Sequence, residues 1–426
     1  MSIQNFRELA DEFGTPLYVY DGDELAGGLR ELRAKLHPAL EVFFSLKSNP
    51  NISVFALLRA NGARAEVSSL VELRTALTAG ASPEDVIFLG PGKSDRELEA
   101  CIAAGIYAIV AESVDEVGRI DRLAAEHAVR QRVLLRVNPA TTPGGSRLTM
   151  GGKPRQFGID EAVVLTLRDL PTEHPHVDIA GVHVYLGTRI LDADTVVANT
   201  KYVLDLAERV ARETGIPLDA VDIGGGLGVA YFDGEHDLDL DALAAGLNPV
   251  LAEFVENHPG TRLMLESGRF LTAKSGTYVM GVRYVKESMG ERFAVTDGGT
   301  HHHMAAVGIG SFVKRNFPVA LLDRAADGPV GPWHLSGPLC TPNDTIAKNA
   351  ALPPLRVGDL IGVLRSGAYG PTASPGLFLG HGFPAEVLVH HGTPHLVRSR
   401  DTPEDLLRPQ HLHDFSDHDE RLRAEL

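Results

Sequence analysis

The hydrophobic pattern of this chain changes character once, near residue 273. From about residue 40 to that point, short apolar runs alternate with amphipathic stretches. Eight runs, at 42–47, 63–68, 86–89, 107–111, 132–137, 179–186, 219–223 and 262–266, predict strands buried on both faces. Between them, Leu70–Thr78, Asp95–Ala104, Val114–Ala128 and Asp194–Thr214 carry apolar residues at helical spacing. Eight βα units over about 230 residues predict a (β/α)8 barrel. An open doubly wound sheet is the alternative, because periodicity does not prove closure.

Beyond residue 273 helical spacing fades. Short strands are expected at Thr277–Tyr284, Arg292–Thr296, Trp333–Ser336, Leu360–Leu364 and Ala385–His390, punctuated by Gly358-Asp359, Gly370-Pro371 and Gly382-Phe383-Pro384. This half predicts a mostly antiparallel β-barrel domain. The apolar segment Pro16–Tyr20 predicts a further strand, placed before the barrel, that completes it. The expected boundaries are 30–273 for the barrel, 1–29 with 274–400 for the β domain, and 401–426 for a charged C-terminal tail.

Composition narrows the function classes. At 426 residues, two domains are expected. A net charge of −16 argues against a nucleic-acid binder. No apolar run reaches membrane-spanning length, and the first eight residues lack the layout of a signal peptide. Only Cys101 and Cys340 occur, which excludes a disulfide framework and favours the cytoplasm.

Barrels of this kind build their sites at the carboxyl ends of the strands. Lys47 stands there, in Val42–Pro50, where a desolvated amine could lose its proton and attack a carbonyl. A solvated lysine is the bland alternative. Gly224-Gly225-Gly226 follows the seventh strand and suits close backbone approach to a phosphate, although glycine runs also make tight turns. Glu266-Ser267-Gly268-Arg269 follows the eighth, where a surface ion pair is the alternative. His183-Val184-Tyr185-Leu186-Gly187-Thr188 follows the sixth. Alternation puts His183 and Tyr185 on one face, Tyr185 suits stacking on a planar ring, and Thr188 suits a phosphate. His183 alone reads equally as a hydrogen-bonded core histidine. An amine, a phosphate cradle, an aromatic platform and a carboxylate together suit pyridoxal phosphate.

These segments, with Phe43–Asn49, Gly337-Pro338-Leu339-Cys340 and Gly367-Ala368-Tyr369-Gly370, resemble the ordered motifs of the fold-type III pyridoxal-phosphate decarboxylases. The resemblance covers about residues 15–395. It implies an alanine-racemase-like barrel, Lys47 as the Schiff-base lysine and Glu266 as the ring-nitrogen partner. It places His183, Tyr185, Thr188, Gly224–Gly226, Ser267–Arg269 and Tyr369 around the cofactor. It implies a homodimer in which Cys340 reaches the partner's site as proton donor. The racemases of this fold place an arginine against the ring nitrogen, so Glu266 favours loss of carbon dioxide. A non-catalytic pyridoxal-phosphate-binding homologue is the alternative of another class.

After the cysteine, decarboxylases of free diamino acids carry an acidic residue for the distal ammonium. Here Cys340-Thr341-Pro342-Asn343-Asp344 offers Thr341, and Asp344 is assigned a mainly structural role. The segments Thr149–Gly158, Asp297–Met304 and Lys314–Pro318 are similar to a branch that includes decarboxylases of acidic amino acids tethered to an acyl carrier protein. Diaminopimelate and ornithine are the alternative substrates. Arg269, Arg315, His302, Thr341 and Tyr369 are the candidate substrate residues; Lys314, Arg315, Arg155 and Arg189 are candidates to meet the carrier protein, or ordinary solvated charges. His301-His302-His303 is not expected to bind a metal, because neighbours on an extended segment point to opposite faces. A lining role in the substrate pocket and a structural role are both open for it.

Overall fold

The computed structural model describes residues 3–140, 154–307 and 315–413. Thr149–Lys153 and Lys314, and the end of the expected tail from residue 414, lie outside the described residues.

A helix (Ile3–Phe13) precedes strand β1 (Leu17–Asp21). The first large sheet contains β2 (Leu40–Ser45), β3 (Arg64–Val67), β4 (Val86–Phe88), β5 (Ala108–Ala111), β6 (Gln131–Asn138), the two-residue β7 (Ile159–Asp160), β8 (Val177–His183), β9 (Ala220–Asp222) and β10 (Arg262–Ser267). Every ladder in it is parallel. Strands β5 and β6 pair, and β2 pairs with β10, Leu40 opposite Leu263, so the sheet closes on itself. This decides for the (β/α)8 barrel over the open sheet.

Two-sided burial explains why the strands read as continuous apolar runs. Along β2, Phe43 points inward to a cluster with Ile87, Val110, Leu134 and Met264, while Phe44 packs outward on Phe55 of the first barrel helix. Each such side chain contributes on the order of 2 kcal/mol by leaving water. The helices begin where a side chain takes up their free amides. Asn51 accepts from Ser53 N, Ser69 from Glu72 N, and Ser94 forms a reciprocal capping box with Glu97.

The second sheet takes β11 (Gly276–Ser288), β12 (Glu291–Thr296), β13 (Val319–Leu321), β14 (Gly331–Ser336), β15 (Thr345–Leu352), β16 (Leu360–Val363), β17 (Ala385–His390) and β18 (Thr393–Arg398). It is mostly antiparallel. Strand β1 lies at its centre, antiparallel to β11 and parallel to β17, so the N-terminal segment does complete this sheet. Closure into a second barrel is not made by the ladders. The path runs from β15 to β18 and branches from β11 through β16 to β13. Part of the expected tail is folded: Thr402 caps a short helix, Pro403–Leu407. Among the described residues no helix is long and apolar enough to cross a membrane. Both cysteines are free; burial pushes the Cys101 thiol up to about 12, while Cys340 is exposed.

Candidate active site

Strand β2 stops at Ser45, and Leu46–Ser48 forms one 3-10 turn, so Lys47 stands two residues past the strand rather than at its last position. Loop 366–370 pins that turn: Asn49 Nδ2 donates to Gly367 O at 3.1 Å and Tyr369 N donates to Ser48 O at 2.7 Å. The ammonium of Lys47 lies 3.1 Å from Glu66 Oε2 and 3.2 Å from Oε1. Glu66 is fully buried on β3 and also accepts from Ser68 Oγ at 3.0 Å. Burial opposes the charge on Lys47, but Glu66 and Glu266 outweigh it and hold the amine well above its ordinary value. The expectation of an amine made neutral by desolvation is therefore corrected. The side chain is 40% exposed and rests on a buried counter-charge.

Lys47, Tyr185, Thr188, Gly226, Glu266, Gly268, Arg269 and Tyr369 line one cleft with Ser45 and Leu227, enclosing about 320 Å³ of empty space. Behind it, His183 Nε2 sits 3.0 Å from Glu266 Oε1. Burial works against the Glu266 carboxylate, yet His183, Lys47 and Arg136 outweigh it and draw the group down to about 2. Asp222 moves the other way: burial first, then the Glu266 charge, push its carboxyl well above the usual range. The buried pair thus divides into one anion and one neutral acid. Since β8 ends at His183, strand alternation does not extend to Tyr185; His183 faces Glu266 and Tyr185 faces the cleft.

The glycine run is required by close packing. A Cβ on Gly225 would overlap the Glu266 carbonyl, and one on Gly226, at φ +106°, the Gly187 carbonyl. Gly224 N is already spent on Asp222 Oδ1 at 2.8 Å. Across the cleft, Arg269 Nη1 donates to Tyr231 OH at 3.1 Å, and its guanidinium lies 4.6 Å from the Tyr369 ring. Tyr369 itself sits at φ +55°, a strained conformation held by the bond to Ser48.

Other expected residues lie elsewhere. Cys340 and Thr341 occupy loop 337–344 and do not line this cleft of their own chain. Arg315 lines a different cleft, described below. The expectation that His302 lines a substrate pocket is corrected: its Nε2 meets Gly382 O at 2.8 Å and its Nδ1 meets Tyr278 OH at 3.1 Å, inside the β domain. Burial draws His301 down to about 4 and His302 and His303 to about 3. Their ordinary value is 6.5, so on acidification the unfolded chain takes up protons that the folded chain refuses. Stability is fully present above pH 6.5 and should fall by about 2 kcal/mol per histidine by pH 5. Urea midpoints measured at pH 7, 6 and 5 check this; a flat profile would contradict it.

Sequence reasoning missed Glu66 and Asp222. Each is the single acid of a short buried strand, Arg64-Ala65-Glu66-Val67 and Ala220-Val221-Asp222, and that isolation is the signal that could have found them.

With the site in hand, comparison with known proteins is direct. Residues 25–273 match the family model of the pyridoxal-dependent decarboxylases, pyridoxal binding domain. The chain belongs to this family. The L-glutamyl-[BtrI acyl-carrier protein] decarboxylase of Niallia circulans is 39% identical over 406 residues, covering 94% of this chain and 95% of that protein. A diaminopimelate decarboxylase of Methanothermobacter thermautotrophicus is 30% identical over 415 residues, 95% and 94% of the two chains. The crystal structure of the Helicobacter pylori diaminopimelate decarboxylase with L-lysine superposes with a TM-score of 0.85 at 26% identity, covering 95% of this chain and 99% of that one. This decarboxylase therefore uses pyridoxal phosphate, and the cleft fits it. Buried Arg269 Nε and Ser267 Oγ have no protein partner, and no acceptor among the described residues meets the Gly225 and Gly226 amides. Donors left open beside an amine and a buried carboxylate are what a phosphate and a pyridine ring require.

Proposed function

We propose that the protein removes the α-carboxylate of an acidic amino acid held through its side-chain carboxyl as a thioester on an acyl carrier protein. The observation that carries this reading is the state of the loop after Cys340. Its carboxylate, Asp344, is buried and engaged, Oδ1 accepting from Thr300 N (2.8 Å) and Thr300 Oγ1 (3.0 Å), and Oδ2 from Leu339 N (2.7 Å). Thr341 cannot neutralise a distal ammonium. A masked side-chain carboxyl needs no such partner, and the Niallia circulans relative is named for a substrate of this kind.

Lys47 is the residue to which the cofactor attaches, and Glu66 orients it. Glu266 holds a proton on the ring nitrogen, with His183 fixing the carboxylate. Arg269, Thr188, Tyr369 and the Gly225–Gly226 amides bind the phosphate, and Tyr185 and Ser267 complete the enclosure. When bound, pyridoxal phosphate supplies the electron sink for the carbanion left as carbon dioxide departs. Cys340, on a loop that Asp344 holds in shape, would supply the returning proton from the neighbouring subunit of a homodimer. The free, exposed thiol suits the reducing cytoplasm.

Carbon dioxide release from glutamyl- and aspartyl-carrier thioesters, compared with free diaminopimelate and ornithine, tests the substrate. A kcat/KM at least about 10²-fold higher for a thioester is expected. Rapid turnover of either free diamino acid would overturn the tethered reading. Mixing inactive Lys47→Ala and Cys340→Ala proteins should restore about a quarter of wild-type activity through heterodimers with one intact site. Mixtures that stay inactive would show that Cys340 serves its own chain.

A further inference from the structure

The geometry points to a second, polar cleft as the binding groove for the phosphopantetheine arm of the carrier protein, with Arg315 and Lys348 gripping its phosphate. This rests on the carrier-tethered reading above and names the part of the substrate that reading leaves outside the active site. The cleft encloses about 920 Å³ of space open in part to solvent, against about 320 Å³ at the cofactor site. Its walls come from Phe232 and Asp233 after β9, from Arg315 and Asn316, and from β15.

Strand β15 suits this role because it is an edge strand with a broken register. Only β14 flanks it along the ladder, and the pairing shifts between Trp333 and Leu335 and again between Leu335 and Ser336. Bulges of this kind turn side chains out of a sheet. Lys348 and Asn349 fall in one, and Asn349 stands at φ +51°. The outer edge already receives an amide: Asn316 Nδ2 donates to Lys348 O at 2.7 Å, and Lys348 N donates to Asn316 Oδ1 at 3.0 Å. The two secondary amides of a pantetheine arm carry the same donor and acceptor groups and can take the place of the Asn316 amide at Lys348.

A ladder of guanidinium groups and rings joins this cleft to the cofactor. Arg315 stacks 4.1 Å over Phe232, and Arg189 lies 5.1 Å from the same ring and 5.5 Å from Tyr231. Arg269, which lines the cofactor cleft, lies 5.6 Å from the same Tyr231 ring. Glu235 ties Arg189 and Arg315 together at 3.6 Å each. In and beside this cleft the cations of Arg189, Arg315 and Lys348 outnumber the carboxylates of Asp233 and Glu235 by one, a local positive excess on a chain whose net charge is −16. Among the described residues Lys348 makes no ion pair, so its charge is available to a phosphodiester.

Calorimetric titration of the holoenzyme with 4′-phosphopantetheine and with unphosphorylated pantetheine tests the groove. The phosphorylated arm is expected to bind at least about tenfold more tightly, and Arg315→Ala and Lys348→Ala should each erase most of that difference. Equal binding of the two arms, or a difference that survives both substitutions, overturns the groove. In turnover, Lys348→Ala should raise KM for the glutamyl-carrier thioester about tenfold more than for the glutamyl N-acetylcysteamine thioester, which lacks the phosphate, with kcat moving less than about twofold. An equal rise for both overturns it too. If the phosphorylated arm binds as expected and no carrier thioester is decarboxylated, the groove stands and the tethered acidic substrate falls. If thioesters turn over while the phosphate makes no difference, the substrate reading stands and the groove falls.

Discussion

Replacing Lys47 with alanine is expected to lower carbon dioxide release by at least about 10³-fold, equivalent to about 4 kcal/mol of barrier, and to remove the visible absorbance of bound pyridoxal phosphate. The reason lies in where the amine is held. The 3-10 turn, the Asn49 bond to Gly367 and the Tyr369 bond to Ser48 fix the backbone on both sides of Lys47, and Glu66 fixes the ammonium. Among the described residues no second lysine lines the cleft to take its place. The substitution also leaves the buried Glu66 carboxylate without its counter-charge, which costs stability on the order of 1–3 kcal/mol. Lys47→Ala/Glu66→Gln removes that charge and should regain the stability without regaining activity. A Lys47→Ala protein that kept both the absorbance and turnover would remove the foundation of the assignment.

The fold was legible where burial is two-sided. All eight barrel strands fall on the apolar runs, because parallel strands covered on both faces carry few polar residues to blur the pattern. The helices at Leu70–Thr78 and Asp95–Ala104 match residue for residue, each opened by a capping serine. The strands that escaped are the two-residue β7, and β13, β15 and β18. Val319–Leu321 has three residues, none fully buried, Thr393–Arg398 is largely exposed, and Thr345–Leu352 loses its alternation at the bulge around Lys348. Such strands are made by their neighbours' ladders rather than by their own pattern.

The site divides along the same line. Residues at or just past strand ends, such as Lys47, Gly226, Glu266 and Arg269, were legible because barrel geometry brings strand ends together whatever lies between them. Glu66 and Asp222 also stand near the ends of β3 and β9, but their role depends on which neighbour they face. His302 was misplaced for a related reason. Three adjacent histidines look like chemistry, but a turn closed by His302 N donating to Gly299 O at 3.1 Å leaves all three imidazoles buried against tyrosines, His381 and Ser366. Burial, not function, accounts for His302.

Glu266→Gln is expected to lower kcat about 10²-fold, or about 3 kcal/mol, while pyridoxal phosphate stays bound. The amide keeps the shape and the contact to His183 but not the negative charge that holds a proton on the ring nitrogen. The loss should stop short of complete because of Asp222. Burial and then the Glu266 charge push its carboxyl toward the neutral form, and one of its oxygens lies within 4.8 Å of a Glu266 oxygen and a His183 ring nitrogen. Neutralising Glu266 removes one of the causes, leaving burial and the Glu66 charge, so Asp222 ionises more readily and a share of the charge returns to the same buried cluster. Asp222→Asn alone, whose amide oxygen can still accept from Gly224 N, should change kcat by less than about threefold. The double variant should then lose more than the product of the two single losses, a coupling that a double-mutant cycle in kcat measures directly. Strict additivity would mean that Asp222 only braces the glycine turn. A Glu266→Gln enzyme with wild-type kcat would mean that the ring nitrogen needs no carboxylate here, and the preference for decarboxylation would have to come from another part of the site.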